Sequence, residues 1–195
     1  MIDRRQAAVA MAFLILLSVG GCRVDSGSST GTADVKVFDL TSPPSRATAG
    51  LAEGKTQFTF QQDDHKPFPI QVKLPGAKML AFDAKLVGFD SLRAAEPASG
   101  PPTSMDVQFY APTLEAGRDH LATALRDFGL DPVAAQTWYD GAEALRAAGK
   151  VDQASTPWVS TKVGYLDLQL QGGYASSGGG AGQTVVHYLF SWAVV

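Results

Sequence analysis

The sequence predicts an α+β domain: an antiparallel sheet of about six strands with a two-helix hairpin packed on one face. Three observations carry that expectation. Apolar residues recur at every second position in several short runs, the period of a half-buried strand. Between Pro112 and Gly149 the period lengthens to that of a helix, and beyond Gly149 the alternation resumes. The helices thus form one insertion in a strand-rich chain instead of alternating with strands, which favours α+β over α/β.

Residues 1–22 stand apart from that domain. Arg4 and Arg5 precede a 13-residue run, Ala7 to Val19, in which Ser18 alone is polar. A spanning helix needs about 20 apolar residues, so this run is too short. A basic start, an apolar centre of this length and small residues before a break mark a cleaved export signal. The break, Leu17-Ser18-Val19-Gly20-Gly21-Cys22, ends on the chain's single cysteine. It resembles the lipobox of bacterial prolipoproteins, although Val19 stands where Leu is commonest and Gly20 where Ala, Ser or Thr is more usual. The resemblance implies removal of residues 1–21, acylation of Cys22 as the new N-terminus, and anchorage on the exported side of a bacterial membrane, periplasmic or extracellular. Acylation also accounts for a lone cysteine in an exported chain, otherwise an odd thiol. Several acyl chains give the stable anchoring that one chain does not. Arg4-Arg5 suggests twin-arginine export as well, but Ala7 and Ala8 replace the bulky residues of that signal, so the general secretory route is expected.

Residues 22–34 are small and polar beyond Cys22. They read as a flexible tether with an r.m.s. reach of roughly 20 Å, ahead of a single domain over residues 35–195. Val35 to Leu40 alternates as a first strand. Phe58 and Phe60, then Phe68, Ile70, Val72 and Leu74, alternate on either side of Asp63-Asp64-His65-Lys66-Pro67, which reads as a hairpin with a longer loop. Lys78 to Phe89 and Met105 to Tyr110 continue the pattern, separated by a Pro/Ala/Ser/Gly loop, Ala94 to Pro102.

Thr113 is placed to cap a helix with an acidic first turn. Leu114, Leu121, Leu125 and Phe128 share its apolar face, and Gly129 with Leu130 fits a Schellman-type stop. Asp131-Pro132 restarts a second helix as N-cap and first residue. Its face is Ala134, Trp138, Ala142 and Leu145, and it ends at Gly149. Trp158 to Leu170 alternates again, Gln171 to Gln183 reads as a Gly/Ser-rich loop, and Thr184 to Val195 is apolar in both phases, as for a central strand covered on both faces.

Chemistry is sparse. The net charge is −3 and basic residues form no run, so nucleic acid is not an expected partner. Asp63, Asp64 and His65 lack the ligand spacing of a calcium or zinc site, and turn formation explains them. Gly178-Gly179-Gly180 leads into a strand and not into the helix N-terminus that a phosphate cradle needs. There is no nucleophile elbow, catalytic cysteine or dinucleotide fingerprint, and no metal or cofactor is expected. His120 lies opposite the apolar face of its helix and reads as solvated. His187 interrupts an apolar phase of the last strand. Either the loop Ala94 to Pro102 folds over its face and His187 is a hydrogen-bonded core residue, or a ligand site lies on that face, with Tyr165 as a further ligand-facing residue. Ser191 is some 13 Å along that strand, too far to be activated by His187. The functional expectation is a membrane-anchored, non-catalytic module that binds an envelope protein or a small apolar ligand. An envelope hydrolase with a dispersed active site and a scaffolding lipoprotein are the alternatives.

Overall fold

The computed structural model describes residues 34–61, 66–149, 153–175 and 182–193. Cys22, residues 63–65 and residues 178–180 lie outside them. Among the described residues, ten strands and two α-helices build an α+β fold dominated by one antiparallel sheet. Across that sheet run β2 (Gln57–Phe60), β5 (Leu86–Asp90), β6 (Ser104–Ala111), β10 (Thr184–Ser191), β9 (Leu166–Ala175) and β7 (Gln153–Ser155). A further strand, β8 (Val159–Val163), pairs with the first half of β9. A smaller sheet holds β1 (Lys36–Asp39), β3 (Phe68–Lys73) and β4 (Met79–Ala84), with β1 parallel to β3.

Two pairings differ from the sequence reading. β2 and β3 are not a hairpin: β2 pairs with β5, and β3 lies between β1 and β4 in the other sheet. Alternation specifies which face is buried, not which strand lies alongside. Phe60 and Phe68 still meet, edge to face at 4.8 Å, but across the two sheets. The single run Lys78 to Phe89 is also two strands. Its core-facing residues are Leu80, Phe82 and Ala84 before Lys85 but Val87 and Phe89 after it. That change of phase marks the corner where the chain leaves one sheet for the other, and there Lys85 donates its N–H to the Gln108 carbonyl, 2.9 Å away.

Helix α1 (Leu114–Asp127) is capped at Thr113, whose hydroxyl accepts from the Ala116 N–H at 3.1 Å. It ends in a Schellman stop: Leu130 N–H reaches Leu125 O at 2.8 Å, Gly129 N–H reaches Arg126 O at 2.9 Å, and Gly129 has φ 71°. The Asp131 carboxylate then accepts from the Val133 N–H at 2.9 Å to start α2 (Val133–Ala148).

The helix pair packs on one face of the large sheet, over β9 and β10. Close approach needs two glycines. A Cβ on Gly117 would lie 2.3 Å from Thr184 Cγ2, and one on Gly172 would lie 2.8 Å from the Trp138 ring. Gly172 therefore belongs to β9, not to the loop expected from Gln171 onward, whose first five residues are strand.

The small sheet covers the rest of that face, beside the helices, with Phe82 stacked on Tyr188 at 5.0 Å. The core follows: Val186, Tyr188 and Phe190 of β10, with Leu166, Leu168 and Leu170 of β9, are all buried. Four strands follow α2 instead of two, since β7 was not anticipated and Trp158 to Leu170 is a hairpin turning at Gly164, φ 62°. Among the described residues no helix is long and apolar enough to cross a membrane.

Candidate functional site

With helices and small sheet on one side, the opposite face of the large sheet is left open among the described residues. β10 is central, as its apolar sequence implies, but covered on one face only: Thr184, Val186, Tyr188 and Phe190 are buried, while Val185, His187, Leu189 and Ser191 are half-exposed. The loop Ala94 to Pro102 does not close that face. It is tied by the Arg46 guanidinium on Gly100 O, the Ser91 hydroxyl on Pro97 O and the Trp192 indole on Pro102 O, at the end of β5 and β6.

Strand register sets the open face out in rows. Gln171, His187, Gln108 and Leu86 stand opposite one another on β9, β10, β6 and β5. Trp158, just before β8, extends this row at the β9 side. Its ring centroid lies 6.1 Å from that of His187, and the residue is 42% exposed. At about 4.8 Å per strand the row spans roughly 19 Å. The neighbouring row adds Gln169, Leu189 and Asp106, and Tyr110 lies beside Val185 on the other side.

Hydrogen bonds fix these side chains. Gln108 donates to the Asp106 carboxylate at 2.8 Å and accepts from the Tyr110 hydroxyl at 3.3 Å. Gln171 donates to Thr156 O at 3.0 Å. His187 Nδ1 lies 3.5 Å from Asp106 Oδ1, an oxygen that is buried without a closer partner. The imidazole is thus turned so that Nδ1 faces the carboxylate, leaving Nε2 as the group it can offer a ligand. Acid–base work would be open to such a nitrogen, but Asp106 and Trp158 are the side-chain partners His187 has among the described residues, and no hydroxyl nucleophile is one of them. No group of three metal-ligating side chains occurs among the described residues either.

The chain matches no protein-family model, no curated protein and no solved structure.

Of the residues singled out from sequence, His187 lies on this open face and Tyr165 does not join it. Tyr165 sits in the turn between β8 and β9, six residues from Gln171 and so roughly 20 Å along the strand. Its hydroxyl is engaged at 3.0 Å with Leu40 O, and burial, with the Asp39 carboxylate nearby, pushes its pKa up to about 12. His187 has two amides, a carboxylate and an indole around it besides Val185 and Leu189 of its own strand, a more polar setting than its sequence neighbours suggest. Trp158, Asp106 and Gln108 escaped the sequence reading because nothing in one strand states which residues stand opposite it.

His120 is a correction. It is not solvated: its ring stacks on Phe109 at 3.7 Å and meets Phe82 edge to face at 5.3 Å, and its Nε2 lies 2.7 Å from the Tyr188 hydroxyl. The helix side opposite the main apolar stripe is covered by the small sheet, which a helical projection leaves out. Desolvation lowers the His120 pKa to about 4 and raises that of Tyr188, so both are neutral over the ordinary pH range. Two open hollows exist elsewhere. One of about 570 Å³ lies between α2 and β7, and one of about 240 Å³ beside Lys78 and Phe128. Neither includes a residue of the His187 row.

Proposed function

We propose that this protein is an exported, lipid-anchored, non-catalytic module that binds its ligand on the open face of the large sheet. The lipobox-like approach to Cys22 supports the anchor. The observation that carries the binding role is the asymmetry of β10: one face is sealed by helices and small sheet, while the other presents an exposed indole beside an oriented imidazole in a row of hydrogen-bonded amides. An exposed aromatic next to fixed polar groups is the make-up of a recognition surface. Backbone hydrogen bonding is satisfied within the interior strands, so the side chains do the recognising.

Two experiments test the two halves. In detergent phase partitioning the wild type is expected in the detergent phase and Cys22→Ser in the aqueous phase; identical partitioning contradicts the anchor. A photo-crosslinking residue is then placed, in cells, at Ser160, exposed on the open face beside Trp158, and separately at Val133, which is exposed on α2. Adducts from position 160 alone support the reading. Equal adducts from both positions, or none from either, overturn it.

A further inference from the structure

Resting on that reading, we infer that the ligand of the open face is an uncharged glycan strand lying along the row Trp158–Gln171–His187–Gln108. Four features of the face select it. Its charges are few and carry no basic excess: Lys162 pairs with Asp167 at 2.9 Å, Lys85 lies over the Tyr110 ring at 4.4 Å, Asp106 lies 3.5 Å from His187, and Asp90 accepts from the Gln57 amide at 3.3 Å. Little net field remains for a nucleic acid, a phosphate or an anionic headgroup, each of which calls for a basic patch. The face is also a sheet surface, and neither hollow opens on it. A compact small molecule would keep much of its surface in water there, whereas a chain can add contacts along the row.

Third, β9, β10 and β6 are interior strands, so a peptide could add as a further strand only at the β8 edge and not along the row. Fourth, the chemistry is that of sugars. The exposed Trp158 indole offers a flat apolar surface to the C–H face of a pyranose. The Gln171 amide oxygen and His187 Nε2 then offer hydrogen bonds to hydroxyl groups at strand spacing. Gln171 is held in place already by its bond to Thr156 O, and His187 lies with Nδ1 toward Asp106, so part of the ordering precedes binding.

The test uses full-length protein in neutral detergent micelles, sedimented with insoluble chitin and with purified peptidoglycan sacculi. Wild type is expected to co-sediment with at least one of them, with affinity little changed between low and high salt. Trp158→Ala, at an exposed position, is expected to weaken binding about tenfold or more, the loss usual for a central aromatic anchor. His187→Ala should also weaken it, and Val133→Ala should leave it unchanged. Absence of wild-type co-sedimentation, binding abolished by salt, or binding indifferent to Trp158→Ala overturns the glycan assignment. The crosslinked adducts from position 160, which leave Trp158 intact, separate this failure from failure of the binding role. Adducts dispersed by muramidase or chitinase support the glycan. A discrete adduct removed by protease alone keeps the binding face but assigns it a protein, and absence of any adduct overturns both.

Discussion

The two histidines on either side of the large sheet show how differently its faces are covered. His120 sits on the covered side, stacked on Phe109, with its Nε2 engaged by the buried Tyr188 hydroxyl. His187 sits on the open side, with Nδ1 toward Asp106 and an exposed indole at hand. In the sequence their standing is reversed: His120 lies on the polar side of a helix and His187 in an apolar strand. What differs is the layer above each of them. Helices and small sheet together close one face, and nothing among the described residues closes the other. One face holds the fold together, and the other is the face on which we propose that ligand binds.

The largest expected effect is on the covered side. Leu125 is fully buried in α1, and Leu125→Ala should lose about 2–5 kcal/mol by transfer and cavity terms together. A denaturant midpoint equal to wild type would show that the helix pair is not core.

A second prediction uses acid. The folded-state pKa of His120 is lowered by desolvation to about 4 from 6.5, so between these values the unfolded chain binds the extra proton. The contribution of neutral His120 is complete above about pH 6.5, falls as pH drops toward 4, and changes no further below that; over the window it amounts to at most about 3 kcal/mol. Stability measured from pH 7 to 4 should fall less steeply in His120→Phe than in wild type. Equal slopes would mean that the imidazole is as well solvated folded as unfolded.

Smaller still is the cost of a methyl group at the helix–sheet contact. Gly172→Ala brings a Cβ to 2.8 Å from Trp138, and the overpacking should cost about 1–3 kcal/mol. Full stability in thermal melts would show that Trp138 yields freely. On the open face the expectation inverts. Trp158→Ala should change stability by no more than about 0.5 kcal/mol while weakening binding about tenfold or more, and a large destabilisation would turn that face into core.

Much of the covered face was legible in the sequence, for a physical reason. Burial imposes periodicity, so Leu114, Leu121, Leu125 and Trp138 could be read from spacing, and Thr113, Gly129 and Asp131 from the local chemistry of caps. Pairing leaves no such trace. The alternation of Phe58 and Phe60 is the same whether β2 meets β3 or β5, and the second layer over His120 comes from strands more than 30 residues away. The corner at Lys85 was written in the sequence, as the change of apolar phase from Phe82 and Ala84 to Val87 and Phe89. The open face was half legible: His187 stands out as a polar residue in an apolar strand, but its row is assembled from four other segments that only register brings together. Tyr165 shares the side-chain phase of Gln171 and was lost to a turn that sends its hydroxyl to Leu40 O.

The most direct measurement is hydroxyl-radical footprinting of the full-length protein in detergent micelles, reading the three tryptophans by mass spectrometry. Trp158 is 42% exposed on the open face, while Trp138 and Trp192 are 3% and 6% exposed. Oxidation of Trp158 well before the other two, together with His187 before His120, is the result an open face and a closed face require. Protection of Trp158 and His187 to the level of Trp138 would show that the face is closed, and would contradict the account.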